Sequence, residues 1–331
     1  MTSQQAYAGS TVLVTGGAGC IGSNLTRALA VEGAARVLVL DDLSSASRWN
    51  VPDHPTVHYT QGSVLDDEAL RAAFKDKPDY VFHLAALFAN QKSVDHPEQD
   101  LMVNGLGTLK VLQFAHLAGV RRVVYASSGC SVYGSAAPLP LREDFVSIDL
   151  DTPYQITKLL GELYCNFFFH YYKLPVVRAR FFNVYGPGEI PGRYRNVIPN
   201  FLYWALHKQP LPITGTGEET RDFTYVDDVI QGLLSAGVAN EAVGEAMNFA
   251  SGREVTVAHL AGLINELTGN PAGVRYVPRR SWDNITRRCA SVEKAGRLLG
   301  YRPHTEFDTG VRRTWEWFSQ HWSEIVRDAR F

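Results

Sequence analysis

Cysteine is scarce in this chain of 331 residues: there are four, at positions 20, 130, 165 and 289, and none stands in a C-x-x-C pair. That excludes a disulfide framework and a zinc ribbon and fits a reducing, cytoplasmic setting. A dominant charge is missing too. Against 34 Asp and Glu stand 32 Lys and Arg, a formal net charge of −2, so no basic field awaits nucleic acid or another polyanion. No apolar run approaches the ~18 residues of a membrane span. The opening MTSQQAYAGS also lacks the charged and apolar regions of an export signal, so no membrane partner is expected. Internal repeats and low-complexity tracts are absent. What remains, 45% apolar and 20% charged, is the composition of an ordinary globular protein with room for one large or two modest domains.

From Thr11 onward, short β-branched runs alternate with helix-period segments, the signature of repeated βαβ units on a parallel sheet. Strands are expected at Thr11–Thr15, Arg36–Leu40, Val57–Thr60, Tyr80–Leu84, Arg122–Ala126 and Pro175–Phe182. Most are apolar throughout, as strands covered on both faces should be. Helices are expected at about Ile21–Glu32, Asp67–Phe74, Pro97–Ala118 and Pro153–Tyr172, which serve as right-handed crossovers. The fold class is therefore α/β, a Rossmann-type doubly wound parallel sheet. After Phe182 the texture changes to the Gly/Pro-rich NVYGPGEIPGRYRNVIP and later PLPITGTGEETRD, where a smaller α/β lobe is expected to begin. The expected division is 1–182 for the sheet domain, with returning segments at about 223–250 and the C-terminal helix, and 183–222 plus 251–305 for the lobe.

The first strand runs into GGAGCIGSNL, which places Gly16, Gly19 and Gly22 in a G-x-x-G-x-x-G turn opening a helix, with Cys20 and Ile21 between them. Such glycines let backbone approach a pyrophosphate whose charge sits on the helix N-terminus. The next strand ends in Asp41-Asp42, where a carboxylate can accept both hydroxyls of an adenosine ribose and would repel a 2′-phosphate. The pattern points to NAD over NADP. Tyr154 and Lys158 are spaced i, i+4 near a helix start, on one face. Bringing a phenol from pKa ~10 to ~7 takes roughly 4 kcal/mol of preference for the phenolate, which a lysine ammonium and the positive nicotinamide can supply in a dry site.

With these residues in hand, the chain resembles the extended short-chain dehydrogenase/reductase family, specifically the NAD-dependent nucleotide-sugar epimerases and dehydratases, over nearly its whole length. The likeness rests on TGGAGCIGSNL, VLDDLSS, HLAA, VNGLGT, YASSGCSVYG, YQITK, RFFNVYGPG and TRDFTYVDDV, in family order. It implies that Ser63 and Val64 contact adenine, although an aspartate is more usual than Ser63. By the same resemblance Ala85 and Ala86 line the dinucleotide, and Asn104 orders the helix or a water behind the catalytic lysine. Asn183 would contact the substrate diphosphate, Arg221 and Arg280 would grip it, and Asp283 would stand near the nucleotide ribose. Two guanidiniums on one diphosphate suit their bidentate geometry.

One motif departs from the family. Counting back from Val132 puts Gly129 where the catalytic Ser or Thr usually stands. The hydroxyl role is therefore assigned to Ser128, with Ser127 as the second choice. The resemblance implies that Ser128 orients a sugar hydroxyl, Tyr154 takes its proton and NAD takes hydride from the carbon. Related dehydratases and decarboxylases carry carboxylates after the catalytic hydroxyl; Gly129, Cys130 and Ser131 offer none. A UDP-sugar 4-epimerase is expected, leaning to UDP-glucuronate with UDP-glucose as the alternative, the uracil being implied by resemblance alone. A decarboxylase, a 4,6-dehydratase or a non-catalytic dinucleotide-binding protein rank lower, since sensors on this fold typically lose the tyrosine or the lysine. The lean toward a uronic acid rests on Arg193, then Arg195, as a loop cation reaching the C6 carboxylate. A homodimer is expected through the helices Pro97–Ala118 and Pro153–Tyr172, the latter offering Leu159, Leu163, Phe167, Phe168 and Tyr171.

Overall fold

A computed structural model describes residues 6–283 and 285–331. Strands β1 (Thr11–Thr15), β2 (Arg36–Asp41), β3 (Val57–Gln61), β4 (Tyr80–His83), β5 (Arg122–Ser128), β6 (Val176–Phe181) and β7 (Ala246–Phe249) form one sheet in the order β7-β6-β5-β4-β1-β2-β3. Every neighbouring pair is parallel. Alternate residues of each strand feed two cores. Val12, Val14, Val37, Phe82, Val124 and Val177 face α1 (Cys20–Val31), while Leu13, Leu38, Val81, Val123 and Val176 face α2 (Asp67–Phe74), α3 (Gly107–Ala118) and α4 (Pro153–Tyr172). Side chains of a strand alternate between faces, so a strand buried on both must be apolar throughout.

The six expected strands appear within a residue or two of their expected bounds, and the run at Glu245–Ala250 returns as the edge strand β7. The expected helix Pro97–Ala118 is not continuous: Pro97–Asp100 passes into a widened π-type stretch, Leu101–Leu106, before α3. The cause lies in two buried side chains. Asn104 accepts from the Leu87 amide (2.7 Å) and donates to the Leu87 carbonyl (3.1 Å) and to Asp100 (2.7 Å), while Thr157 of α4 donates to Asp100 (2.7 Å). A turn that must present these groups to neighbouring backbone accommodates one extra residue.

The start of α4 is determined locally. Thr152, Pro153 and Gln155 form a capping box with proline in the first turn: Thr152 Oγ1 accepts from the Gln155 amide, and the Gln155 side chain accepts from the Thr152 amide. Tyr154 is thereby held in the first turn, where its amide donates to Ser93 Oγ at 3.0 Å.

Beyond β6, Val184–Tyr185 pairs in parallel with Thr224–Tyr225, and Leu211–Thr214 does so with Val274–Val277, whereas Thr220–Arg221 pairs antiparallel with Val255–Thr256. Helix α5 (Val197–Leu206) packs on α7 (Val257–Thr268), while α6 (Val226–Val238) returns to lie against α1. On α4, Leu163, Phe167 and Tyr171 are exposed, but Phe168 is buried within the chain and Leu159 is half-buried. No helix among the described residues is long and apolar enough to cross a membrane.

Candidate active site

Along the carboxyl ends of the strands runs a cavity of about 710 Å³, the place where open parallel sheets bind ligands. Its cofactor-sized end is made by the glycine turn. Gly16 has φ +72°, and a Cβ there would stand 2.6 Å from the Ala85 nitrogen; a Cβ on Gly22 would stand 2.1 Å from the Gly16 carbonyl oxygen. Only glycines allow β1, the end of β4 and the N-terminus of α1 to meet so closely. Gly19, Cys20, Ile21 and Gly22 open onto the cavity with Asp41, Asp42, Ser63, Val64, Ala85 and Ala86. Asp41 is buried and accepts from the amides of Ala18 (3.0 Å) and Leu43 (2.8 Å), which orients its carboxylate, and the exposed Asp42 accepts from Ser44 (2.9 Å). A bare helix N-terminus at one point and an oriented carboxylate at the end of the next strand fit the diphosphate and ribose of a dinucleotide. Asn104 is set apart from this wall: it lies behind the cavity, holding Leu87 and Asp100.

His83 is structural. Burial pushes its pKa down to about 3. Thr108 Oγ1 spends its proton on the Asn104 carbonyl (2.6 Å) and so accepts from Nε2 (3.0 Å), while Thr15 Oγ1 donates to Nδ1 (2.7 Å). The neutral ring, at the end of β4, ties β1 to α3.

At the centre, Tyr154 lines the cavity, and among the described residues its hydroxyl has no hydrogen-bond partner. Lys158 Nζ donates to the Ala126 carbonyl at 2.8 Å and stands 5.6 Å from the centre of the Tyr154 ring. Burial pushes the Lys158 pKa down to about 8, opposed by the charge of Asp100. Burial, with smaller contributions from Asp100 and Cys130, holds the Tyr154 phenol above its ordinary value. In the chain by itself, burial outweighs any lowering of the Tyr154 phenol by the lysine.

The two serines separate. Ser127 Oγ donates to Glu162 at 2.5 Å, and Glu162 is held by Arg180 at 2.8 Å. Both serines border the cavity, but Ser128 is the one whose hydroxyl is not spent on Glu162; it accepts from Ser131 Oγ at 2.9 Å. Gly129 is a glycine because a Cβ there would lie 1.9 Å from the Phe182 ring. No side chain fits where the family's hydroxyl usually stands, and the Ser128–Ser131 pair is what this chain offers instead.

At the far end, Asn183, Arg221, Arg280 and Asp283 all line the cavity. Arg221 donates to Asp283 at 3.3 Å, and Arg280 lies 5.6 Å over the Trp282 ring. Arg193 is at the rim, its side chain 67% exposed and paired with Asp95 at 3.4 Å. Arg195 also lines the cavity, and the charge that bears on it most is that of Glu189, ahead of Cys20 and Asp41. Sequence reading missed Arg288: it is 4% exposed, lines the cavity and makes a single hydrogen bond among the described residues, from Nη2 to the Cys130 carbonyl at 2.9 Å. Asp100 and Ser131 were missed as well. No motif marks Arg288 or Asp100, whose partners are distant in the chain or lie behind the wall, and Ser131, inside YASSGCSVYG, serves a hydroxyl three residues earlier.

The model of the NAD dependent epimerase/dehydratase family matches residues 12–250. A UDP-glucose 4-epimerase of Mycolicibacterium smegmatis is 34% identical over 309 residues, 92% of this chain and 97% of that protein. Among solved structures, epimerase Mth375 of Methanothermobacter thermautotrophicus superposes with a TM-score of 0.99 at 59% identity, over 100% of this chain and 98% of that one. The Bordetella bronchiseptica enzyme WbmF in complex with NAD+ and UDP gives 0.86 at 41% identity, over 97% and 96%.

Proposed function

Because the chain belongs to the NAD dependent epimerase/dehydratase family, we propose that it is a UDP-sugar 4-epimerase acting on a uronic acid, interconverting UDP-glucuronate and UDP-galacturonate. Bound NAD supplies a reversible hydride acceptor and a positive charge beside the phenol. The chain's own residues then divide the remaining work. Tyr154 takes the proton of the 4-hydroxyl and gives it back, and Lys158, one turn on, favours the phenolate. Ser128, its lone pair fixed by the donor Ser131, orients that hydroxyl. With Gly129, Cys130 and Ser131 in the next positions, no carboxylate stands ready to divert the ketose to elimination. The loops 183–222 and 251–305 serve as the sugar-nucleotide lobe, with Asn183, Arg221, Arg280 and Asp283 on the diphosphate and ribose.

The observation that carries the choice of sugar is Arg288. Its guanidinium is anchored two residues past Ser128 by one hydrogen bond and has its other donors to spend. A buried cation so close to the sugar-facing hydroxyl suits a C6 carboxylate better than a C6 alcohol. The charged hydrogen bond is worth ~1.5–3 kcal/mol, roughly ten- to a hundred-fold in relative kcat/KM. Arg288→Met should therefore lose turnover of UDP-glucuronate far more than of UDP-glucose, with the products resolved by NMR. Equal losses would favour the second reading, in which Arg288 joins its neighbour Arg221 on the diphosphate and the sugar is UDP-glucose. NADH should not accumulate in either case.

The exposed Leu163, Phe167 and Tyr171 of α4 flank the exposed Leu101 and Met102 of the adjoining stretch. A monomeric protein rarely leaves such a band open, and we read it as the face of a homodimer. A monomeric mass by light scattering at micromolar concentration would count against it.

A further inference from the structure

At the rim of the main cavity a chain of side-chain hydrogen bonds joins three separate segments. Trp282 Nε1 donates to Gln91 Oε1 (2.9 Å), Gln91 Nε2 donates to Asp95 Oδ1 (2.9 Å), and the Tyr194 hydroxyl donates to Asp95 Oδ2 (2.8 Å). Arg193 adds a longer contact to that same oxygen, 3.4 Å. The chemistry of its ends orients the Gln91 amide, since an indole N–H only donates and a carboxylate only accepts. Gln91, Tyr194 and Trp282 line the cavity, whereas Asp95 is not among the lining residues and ties them from outside.

The short helix Asn90–Asp95, which carries the middle of this chain, is fixed on its other side to the start of α4. Thr152 Oγ1 donates to Asn90 Oδ1 (2.9 Å), and the buried Ser93 Oγ donates to the Asn90 carbonyl (2.7 Å) and accepts from the Tyr154 amide (3.0 Å). Just before the helix, Phe88 stands edge-on to the Tyr154 ring, with centres 6.0 Å apart. One small element thus joins the tyrosine to the loops 190–196 and 278–285, and the second of these carries Arg280 and Asp283. Its two sides differ in kind. The bonds toward α4 are shielded from water, while those from Asp95 to Gln91, Tyr194 and Arg193 are exposed. Water competes for exposed bonds, so each is weak and easily broken. The loops can part to admit a substrate and close again while the floor beside Tyr154 stays in place.

We propose that this chain of bonds is a latch that keeps the transient ketose inside the cavity until hydride is returned to it. The latch rests on the epimerase reading given above. In that reaction the C4 hydroxyl gives its proton to Tyr154 and its carbon gives hydride to NAD, and the ketose must present its other face before both come back. No covalent bond joins the sugar ring to the chain during that turn. A ketose that leaves early goes into solution as a UDP-4-keto sugar, and the hydride stays behind as one NADH on the enzyme with the proton on Tyr154. A closed rim favours return over escape without touching the reacting atoms. Asp95 and its partners are therefore positioning residues, which act through the loops they hold together.

The test uses purified holoenzyme with whichever of UDP-glucuronate and UDP-glucose the wild type turns over. NADH is followed by its absorbance, and released UDP-4-keto sugar is reduced with borodeuteride and counted by mass spectrometry. Asp95→Ala and Trp282→Phe should each release ketose about three- to tenfold more often per turnover than wild type, the size of one or two lost hydrogen bonds. NADH should build up on these variants and activity should decay in step, while the initial kcat stays within about twofold of wild type. Tyr194→Phe, which leaves Arg193 on Asp95, should show a smaller rise. Wild-type retention of ketose in both Asp95→Ala and Trp282→Phe, or a fall in kcat with ketose release unchanged, would overturn the latch. A wild type that epimerises neither sugar would instead overturn the epimerase reading, and the latch with it.

Discussion

Helix α4 carries two buried polar groups of opposite character, one turn apart. Glu162 is complete: Arg180 meets it through two nitrogens at 2.8 Å each, Ser127 donates to it, and Arg180 also donates to the Tyr133 hydroxyl, which in turn reaches Asn248. This network joins β5, α4, β6 and β7, and its charges outweigh burial enough to hold the Glu162 carboxyl below its usual value. The Tyr154–Lys158 pair is equally enclosed yet unfinished: a phenol with no partner, an ammonium with one carbonyl, and both pKa values displaced by burial toward the neutral forms. Burial alone thus does not distinguish a structural group from a reactive one. What distinguishes them is whether the protein itself satisfies the group or leaves that to a ligand.

The contrast can be broken from either side. Tyr154→Phe should cut turnover about a thousandfold or more while the melting temperature stays near that of wild type, because the hydroxyl it removes bonds to nothing in the chain. Retained activity in that variant would sink the mechanism. Glu162→Gln should do the reverse, costing roughly 3–5 kcal/mol in denaturant unfolding, since Arg180 is left buried with its charge uncompensated. A loss near zero would mean that the network is dispensable.

Smaller effects sharpen the comparison. Lys158 has its pKa lowered to about 8 from the model-compound value of 10.5, so between those limits the unfolded chain binds more protons than the folded one. Cofactor-free wild type should therefore gain stability relative to Lys158→Met as pH rises from 8 toward 10.5, and should show its largest deficit below pH 8. A difference independent of pH would show that the lysine is not carrying this strain. Asp100 raises the pKa of both Tyr154 and Lys158 by its charge. Asp100→Asn should move the acid limb of the kcat/KM profile down by about a few tenths of a pH unit, without loss of bound NAD.

Much of the fold was legible because its determinants are local. Apolar runs such as TVLVT and RVLVL can only be strands covered on both faces, and Thr152-Pro153-Tyr154-Gln155 writes both a helix start and the place of the tyrosine in its first turn. The glycine turn was legible for the same reason: Gly16 and Gly22 answer to backbone a few residues away, or to the end of the neighbouring strand. The helix Pro97–Ala118 was misread because the groups that widen it, Leu87 and Thr157, come from elsewhere in the chain.

The sequence by itself determined the doubly wound sheet, the glycine turn, the acidic end of β2 and the Tyr154–Lys158 pair, since periods of two and of about four residues follow from backbone geometry alone. Tertiary structure decided the rest. Which of Ser127 and Ser128 keeps a hydroxyl free for the cavity depends on Glu162 and Arg180, which reach in from α4 and β6 and engage Ser127. The position after Ser128 must be glycine because Phe182 fills the space. Arg193, Arg195 and Arg288 look alike in sequence; one pairs at the rim, one lines the cavity near the charge of Glu189, and one is buried against a carbonyl 158 residues away. No local pattern encodes such distances, because they are set only when loops from separate parts of the chain close over the sheet.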